Sequence, residues 1–361
     1  MQIIEDRRAL HRIPELDHDL PRTIAYVQES LCTHKCHIFS PIPSAVCAFF
    51  DFGKDSAIAF RADMDALPVQ EKTGLSFSSE TEGRMHACGH DGHTAILLEL
   101  ARRLNEKQEL AHNVLLIFQP AEEASGGAQP ICDTGILENY NVQAIFGLHL
   151  WPGMQAGQIY SRKGALMAMS SELSVDVYGK AAHISKPAEG LDALAAAVEF
   201  YCRVRQAEQE LPEDVFRLLN FGFMESGTVR NVISSHTRLL GTLRAFEDSV
   251  FYELKSRVEQ IAAQVENATG CRITTHFATA YPPVCNPDAL FDRISKIVPV
   301  EEVPTPSTAA EDFSCYQKCV PGLFFFLGLG DTPALHADTF DFDESLLVKG
   351  ADLFTKIAEE F

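Results

Sequence analysis

Eight consecutive residues, His86-Ala87-Cys88-Gly89-His90-Asp91-Gly92-His93, bring together imidazoles, a thiol and a carboxylate. Imidazole nitrogen and thiolate sulfur suit zinc and the neighbouring transition ions, and the glycines allow a backbone sharp enough to aim alternate side chains at one point. A polar turn without chemistry is the plain alternative, but few structural needs explain such density. A second feature, Glu122-Glu123, follows an apolar run and Pro120. Adjacent side chains of an extended chain point in opposite directions, so one carboxylate can hold a metal while its neighbour faces a water as general base. Alone, such a pair reads as a solvated loop; its place at a strand end, with His149 closing the next apolar run, favours chemistry. His149 by itself fits a core histidine bonded to backbone equally well. His336, within Pro333-Ala334-Leu335-His336-Ala337-Asp338, reads by itself as an exposed surface histidine.

These residues need elements that deliver them to one place. Ala57 to Phe60 leads into Arg61-Ala62-Asp63, Val114 to Phe118 into Gln119-Pro120-Ala121-Glu122-Glu123, Ala144 to Leu148 into His149, and Leu323 to Leu327 into Gly328. Short, continuously apolar runs are the pattern of strands buried on both faces, as in a parallel sheet covered by helices. Thr94 to Leu104 and Leu346 to Ile357 have the near-helical apolar spacing of such covering helices. In open α/β sheets the ligand crevice lies beyond the carboxyl ends of the strands, which is where Asp63, Glu122, Glu123 and His149 fall.

From about Ser171 to Pro282 the pattern changes. Leu173 to Tyr178 alternates like a half-exposed strand, Ala193 to Val204 reads as a helix, and Phe216 to Phe223 and Thr237 to Phe246 read as strands. A long helix from about Val250 to Ala268 and a strand from Arg272 to Thr279 follow. This strand-helix-strand-strand-helix-strand order predicts an inserted domain of ferredoxin-like α+β type.

At 361 residues the chain exceeds the roughly 250 to 300 at which single cores stop growing, in keeping with two domains. A formal net charge of -20, with no Lys/Arg run to offset it locally, repels phosphate backbones and anionic lipid surfaces. Neither nucleic acid nor membrane is an expected partner. No segment approaches the ~20 uninterrupted apolar residues of a membrane helix, and the opening MQIIEDRRALHR carries charge where a signal peptide needs an apolar stretch. The cysteines form no CxxC pair and read as reduced thiols, so a cytoplasmic setting is expected.

Taken in order, MHACGHDGH (Met85 to His93), FQPAEE (Phe118 to Glu123), GLH (Gly147 to His149), AEDF (Ala310 to Phe313) and LHADTFDFDE (Leu335 to Glu344) span nearly the whole chain. Together they resemble the aminoacylase/carboxypeptidase metallopeptidase family. Within it they are most similar to the amidohydrolase subfamily of hippurate hydrolase, auxin-conjugate hydrolases and N-acetyldiaminopimelate deacetylase.

The resemblance implies that Cys88, His90, Glu123, His149 and His336 hold two divalent ions, zinc or manganese, with cobalt or nickel as alternatives. Cys88 would be a shared ligand and Glu122 the catalytic carboxylate, acting as general base on a metal-activated water. The implied reaction cleaves the amide bond of a small N-acyl amino acid, for example an N-acetyl one, to a carboxylic acid and a free amino acid; a dipeptidase or carboxypeptidase is the alternative within the family. The implied fold is a dinuclear-metal peptidase α/β catalytic domain at residues 1–168 and 283–361, with a lid and dimerisation domain at 169–282 and a homodimer formed through the lid. In that lid, Gly179-Lys180-Ala181-Ala182-His183 matches a segment whose histidine assists the oxyanion, in its own or a partner subunit. Asn231 and Arg244 match positions that grip the substrate carboxylate, a task suited to a guanidinium; without the family, Arg244 reads as a surface residue.

Three departures from the family pattern touch no implied ligand: Ser234-Ser235 in place of Pro-Asp, Ile184-Ser185-Lys186 after His183, and Ala124-Ser125 among the usual glycines after Glu123. They leave the substrate open more than the reaction. Two readings of another class compete: a cysteine hydrolase with Cys88 as nucleophile, and a silent binding protein that keeps the fold. The first leaves Glu123, His149 and His336 unexplained. The second sits poorly with a complete set of ligands and base.

Overall fold

The four apolar runs become strands buried through their central residues: Ala57–Asp63, Asn113–Gln119, Val142–Trp151 and Gly322–Gly328. The structure is a computed structural model that describes residues 1–278 and 280–361. Its contacts divide the chain into a first unit of Met1–Leu166, Val284–Thr305 and Asp312–Phe361, and a second of Met167–Pro283 with Pro306–Glu311.

In the first unit the four strands lie side by side and parallel, in the order Asn113–Gln119, Ala57–Asp63, Val142–Trp151, Gly322–Gly328. Val46–Phe50 and then His37–Phe39 extend one side antiparallel, and Ile159–Ser161 and Glu301–Glu302 extend the other. The helix His90–Asn105 packs on this sheet, with Gln2–His11 and Leu347–Glu360 against it. Phe60 sits at the centre, its ring centroid 5.5 Å from Phe146 and 5.0 Å from Phe354. Full burial of each such ring stabilises the fold by about 1.5–3 kcal/mol. Because the strands run parallel, the carboxyl ends that carry the candidate residues share one edge.

In the second unit Met169–Tyr178, Arg217–Ser226, His236–Ala245 and Arg272–Phe277 form an antiparallel sheet. The spatial order is Arg272–Phe277, Met169–Tyr178, His236–Ala245, Arg217–Ser226, which is the ferredoxin-like arrangement. Helices Ala193–Gln209 and Asp248–Thr269 bury Ala196, Phe200, Leu254 and Val258 with Leu173, Val175 and Val177 in one core. Glu172, Ser174 and Asp176 alternate with these toward the other face, as the sequence pattern requires. The last predicted strand ends at Phe277; Thr279 lies outside the described residues. Among the described residues no helix is long and apolar enough to cross a membrane.

Candidate metal centre

The histidine-rich motif straddles a helix start. Gly89 is the N-cap at φ +87, and a Cβ there would stand 3.2 Å from Leu150 Cδ1, so both backbone and space call for glycine. The helix therefore opens four residues before the predicted Thr94, with His90 and His93 in its first turn. His90 Nδ1 lies 2.8 Å from the Asp65 carbonyl. A carbonyl only accepts, so Nδ1 carries the proton and Nε2 presents its lone pair. That Nε2 is buried, has no hydrogen-bond partner among the described residues, and lies 3.7 Å from Glu123 Oε1. His149 repeats the arrangement: Nδ1 donates to the Leu150 carbonyl at 2.7 Å and Nε2 lies 3.4 Å from Cys88 Sγ. Histidines oriented in this way are the usual form of metal ligands.

His336 adopts left-handed backbone at φ 67, donates its N–H to Ala87 O at 2.8 Å, and places Nε2 3.3 Å from Glu123 Oε1. The donor atoms of Cys88, His90 and His149 thus fall within 4.8 Å of one another, as do those of Cys88, Glu123 and His336, and those of His90, Glu122 and Glu123. Sharing Cys88, His90 and Glu123 makes these sets one cluster, which brings together all five predicted ligands and Glu122.

The electrostatics of the cluster call for cations. Burial pulls the His90 pKa down, but Asp63, Asp65 and Glu123 raise it to about 10, so in a metal-free pocket a proton fills the place of positive charge. Burial, with Glu123 and Glu122 nearby, pushes the Cys88 thiol well up. Glu123 goes the other way: against its burial, His336 and His90 hold it at about 2. Burial and His93 push His149 down to about 3, leaving the neutral imidazole that ligation needs. A buried imidazole nitrogen without a hydrogen-bond partner among the described residues, amid thiol and carboxylate donors, fits divalent ions better than any arrangement of protons.

Several residues of this region carry no signal in the motif spacing. His93 bonds Asp63 Oδ1 through Nδ1 at 2.6 Å and accepts the Leu150 N–H on Nε2 at 2.9 Å, so both nitrogens are engaged in holding the helix start to two strands. His86 is buried with neither nitrogen hydrogen-bonded among the described residues. Asp65, just past its strand, accepts the backbone N–H of Glu122 and of Glu123 at 3.0 Å each. The period-two spacing from Asp63 is the one sequence cue that points to it. Ala121, immediately before the pair, is left-handed at φ 61, which turns the chain so that both amides face Asp65.

The remaining predicted residues lie in the second unit. His183 is exposed, its Nδ1 2.8 Å from Ser185 Oγ, and it bridges to Val232, which brings it beside exposed Asn231. Arg244 donates from Nη1 to Thr308 O at 2.6 Å, while its buried Nε has no partner among the described residues. His183 and Asn231 sit by the His236 end of the strand His236–Ala245 and Arg244 by its other end, roughly 27 Å apart at 3.4 Å per residue. The unusual Ser234 has a local role: its hydroxyl meets Ser226 Oγ at 2.8 Å and donates to His236 O at 2.9 Å.

A parallel α/β sheet that ends in overlapping Cys, His and carboxylate donor sets is the build of a metal-dependent hydrolase. The chain belongs to peptidase family M20/M25/M40, whose model matches residues 59–360, and the resemblance carried by the motifs holds. It is 34% identical over 361 residues to N-acetyl-L-cysteine deacetylase of Bacillus subtilis, covering 97% of this chain and 86% of that protein. It is 35% identical over 349 residues to N-acetyldiaminopimelate deacetylase of Shouchella clausii, covering 92% and 91%. Among solved structures, a Bacillus subtilis protein described as a dinuclear metal binding peptidase from the M20 family superposes with a TM-score of 0.84 at 29% identity, covering 99% and 96%.

Proposed function

We propose that this protein hydrolyses the amide bond of small N-acyl amino acids, N-acetyl amino acids foremost, with two divalent ions held by Cys88, His90, Glu123, His149 and His336. The observation that carries the reading is the cluster itself, three overlapping donor sets around a buried His90 nitrogen without a hydrogen-bond partner among the described residues. The names of the two deacetylase relatives support the substrate class. Bound there, zinc, manganese, cobalt or nickel would supply Lewis-acid polarisation of the scissile carbonyl and acidification of a water.

Glu122 takes a proton from the attacking water and delivers it to the leaving nitrogen as the C–N bond breaks, which releases a carboxylic acid and a free amino acid. The backbone bonds from Glu122 and Glu123 to Asp65 hold the two carboxylates in place. Cys88 serves as ligand and not as nucleophile: without the ions, burial and carboxylate neighbours favour its thiol, the reverse of an activated nucleophile, and a bound cation would stabilise the thiolate that ligation needs.

In the second unit, Arg244 and Asn231 bind the substrate carboxylate and His183 stabilises the oxyanion. One small substrate cannot span the distance from Arg244 to His183, so we place His183 and Asn231 at the active site of a second subunit. Edge strand Arg217–Ser226 and helix Ala193–Gln209 leave Phe223, Met224, Leu194 and Val198 exposed by 40 to 46%, which suits a homodimer built on this surface. A cytoplasmic setting completes the reading, supported by a cysteine spacing without a CxxC pair.

The test is turnover of N-acetyl, N-benzoyl and N-aminoacyl amino acids by metal-stripped protein, with and without each added ion, beside Glu122→Gln. Metal-dependent turnover that falls by about 10²- to 10⁴-fold in the variant, at unchanged metal content, is expected. Turnover indifferent to metal, or none across the panel, would refute the reading.

A further inference from the structure

The motif Ala310-Glu311-Asp312-Phe313 carries family resemblance but has so far no task. Asp312 is fully buried. Its carboxylate accepts from Arg61 Nη2 at 2.7 Å, from Gln119 Nε2 at 2.8 and 2.7 Å on its two oxygens, and from the backbone N–H of Gly127 and Ala128 at 3.0 and 2.9 Å. Gln119 stands just before the Glu122-Glu123 loop, and Gly127 and Ala128 just after it. The loop closes tightly between them: a Cβ on Gly127 would sit 1.9 Å from Pro120 O, and Gly126 N donates to Ala121 O at 2.9 Å. Both feet of the loop are therefore tied to one carboxylate, which is tied to the sheet through Arg61. Arg61 in turn reaches Asp63 at 2.8 Å and Gln119 Oε1 at 2.8 Å. An Asp312 oxygen also lies within 4.8 Å of a Glu122 oxygen.

We propose that Asp312 is a positioning residue for the catalytic carboxylate, clasping both feet of the 119–128 segment so that Glu122 is held where it can exchange a proton with water. This rests on the reading of Glu122 as general base. A side chain that only filled space here would need neither the charge nor the five contacts with loop and sheet.

The experiment compares kcat and KM of full-length, metal-loaded wild type, Asp312→Asn, Asp312→Glu and Glu122→Gln on one N-acetyl amino acid, with metal content measured on each. Asparagine keeps the shape but turns an NH₂ group toward donors that need an acceptor. Asp312→Asn is expected to keep wild-type metal content and a KM within about threefold, and to lose about 10²-fold in kcat, the size of effect that an ångström of misplacement produces. Asp312→Glu, which restores the carboxylate on a longer arm, should recover part of the lost kcat at unchanged KM.

A kcat within about threefold of wild type would overturn the proposal, whatever happens to Tm, and so would loss of metal from Asp312→Asn. If Asp312→Asn does not fold, Gln119→Leu removes a donor to both Asp312 oxygens and is expected to lower kcat about tenfold at constant KM; an unchanged kcat would again overturn it. A Glu122→Gln protein as active as wild type overturns both this inference and the reading beneath it. A dead Glu122→Gln beside a fully active Asp312→Asn overturns the inference alone.

Discussion

Replacing His11 by glutamine tests the electrostatics behind the helix that bears His90. His11 is fully buried, with Nδ1 2.7 Å from Asp91 Oδ2 and Nε2 3.4 Å from Glu71 Oε1. Burial alone would lower its pKa, yet the bonds to Asp91 and Glu71 raise it from 6.5 to about 9. A pKa raised by folding stabilises the folded state fully below the unfolded value and is lost as pH rises through the folded one. Here the window runs from 6.5 to about 9, and 2.5 units at about 1.36 kcal/mol each is about 3 kcal/mol. Glu71, held at about 2 partly by the same bond, reports that interaction from the other side and is not added. The stability advantage of wild type over His11→Gln should therefore shrink by about 3 kcal/mol between about pH 6 and pH 9.5. Denaturant unfolding in fixed excess metal measures it, and because both proteins carry the same metal ligands, the pH dependence of ligation cancels in the difference. A gap that stays constant to within about 1 kcal/mol would refute a charged, buried His11.

Other consequences are simpler to check. His336→Ala removes one member of the Cys88, Glu123, His336 set, and elemental analysis should find about one ion per subunit in place of about two; full occupancy would remove His336 from the ligand list. Gly89→Ala forces a side chain into φ +87 with Leu150 3.2 Å away, a strain of about 1–2 kcal/mol that should lower Tm by roughly 3–6 °C; an unchanged Tm would mean that the helix start relaxes freely. Phe223→Glu puts charge on the exposed edge strand and should yield monomer in light scattering, and a persistent dimer would place the interface elsewhere.

Legibility followed burial. Strands such as Ala57–Asp63 are enclosed on both faces, so their apolar runs announce them, and Leu173 to Val177 alternates because one face is left open. The segments Val46–Phe50 and His37–Phe39 are harder to read, since they add to the sheet antiparallel and the outer one is partly exposed, which breaks the continuous pattern. The start of the helix at His90 is masked for a different reason: its first turn is made of His90, Asp91, Gly92 and His93, residues chosen for the cluster and not for amphipathic spacing. The return of Pro306–Glu311 to the second unit has no local signal at all, because it is a fact of tertiary contact.

The same division runs through the candidate site. The candidate ligands Cys88 and His90 are legible because few roles other than metal binding bring cysteine and histidine together so densely, whereas His149 and His336 stand alone in sequence and are legible only through the family resemblance. Supports are illegible because they use common residue types whose meaning depends on a partner far along the chain. Asp65 and Asp312 are ordinary aspartates until topology sets one against the amides of Glu122 and Glu123 and the other against those of Gly127 and Ala128. Between them they hold the segment that carries both carboxylates. The placement of Glu122 therefore depends on contacts drawn from four separate stretches of chain, at Arg61, Asp65, Gln119 and Asp312. A substitution at any of them should leave every ligand in place and still disturb catalysis, the pattern to look for when a protein of this family binds metal but turns over slowly.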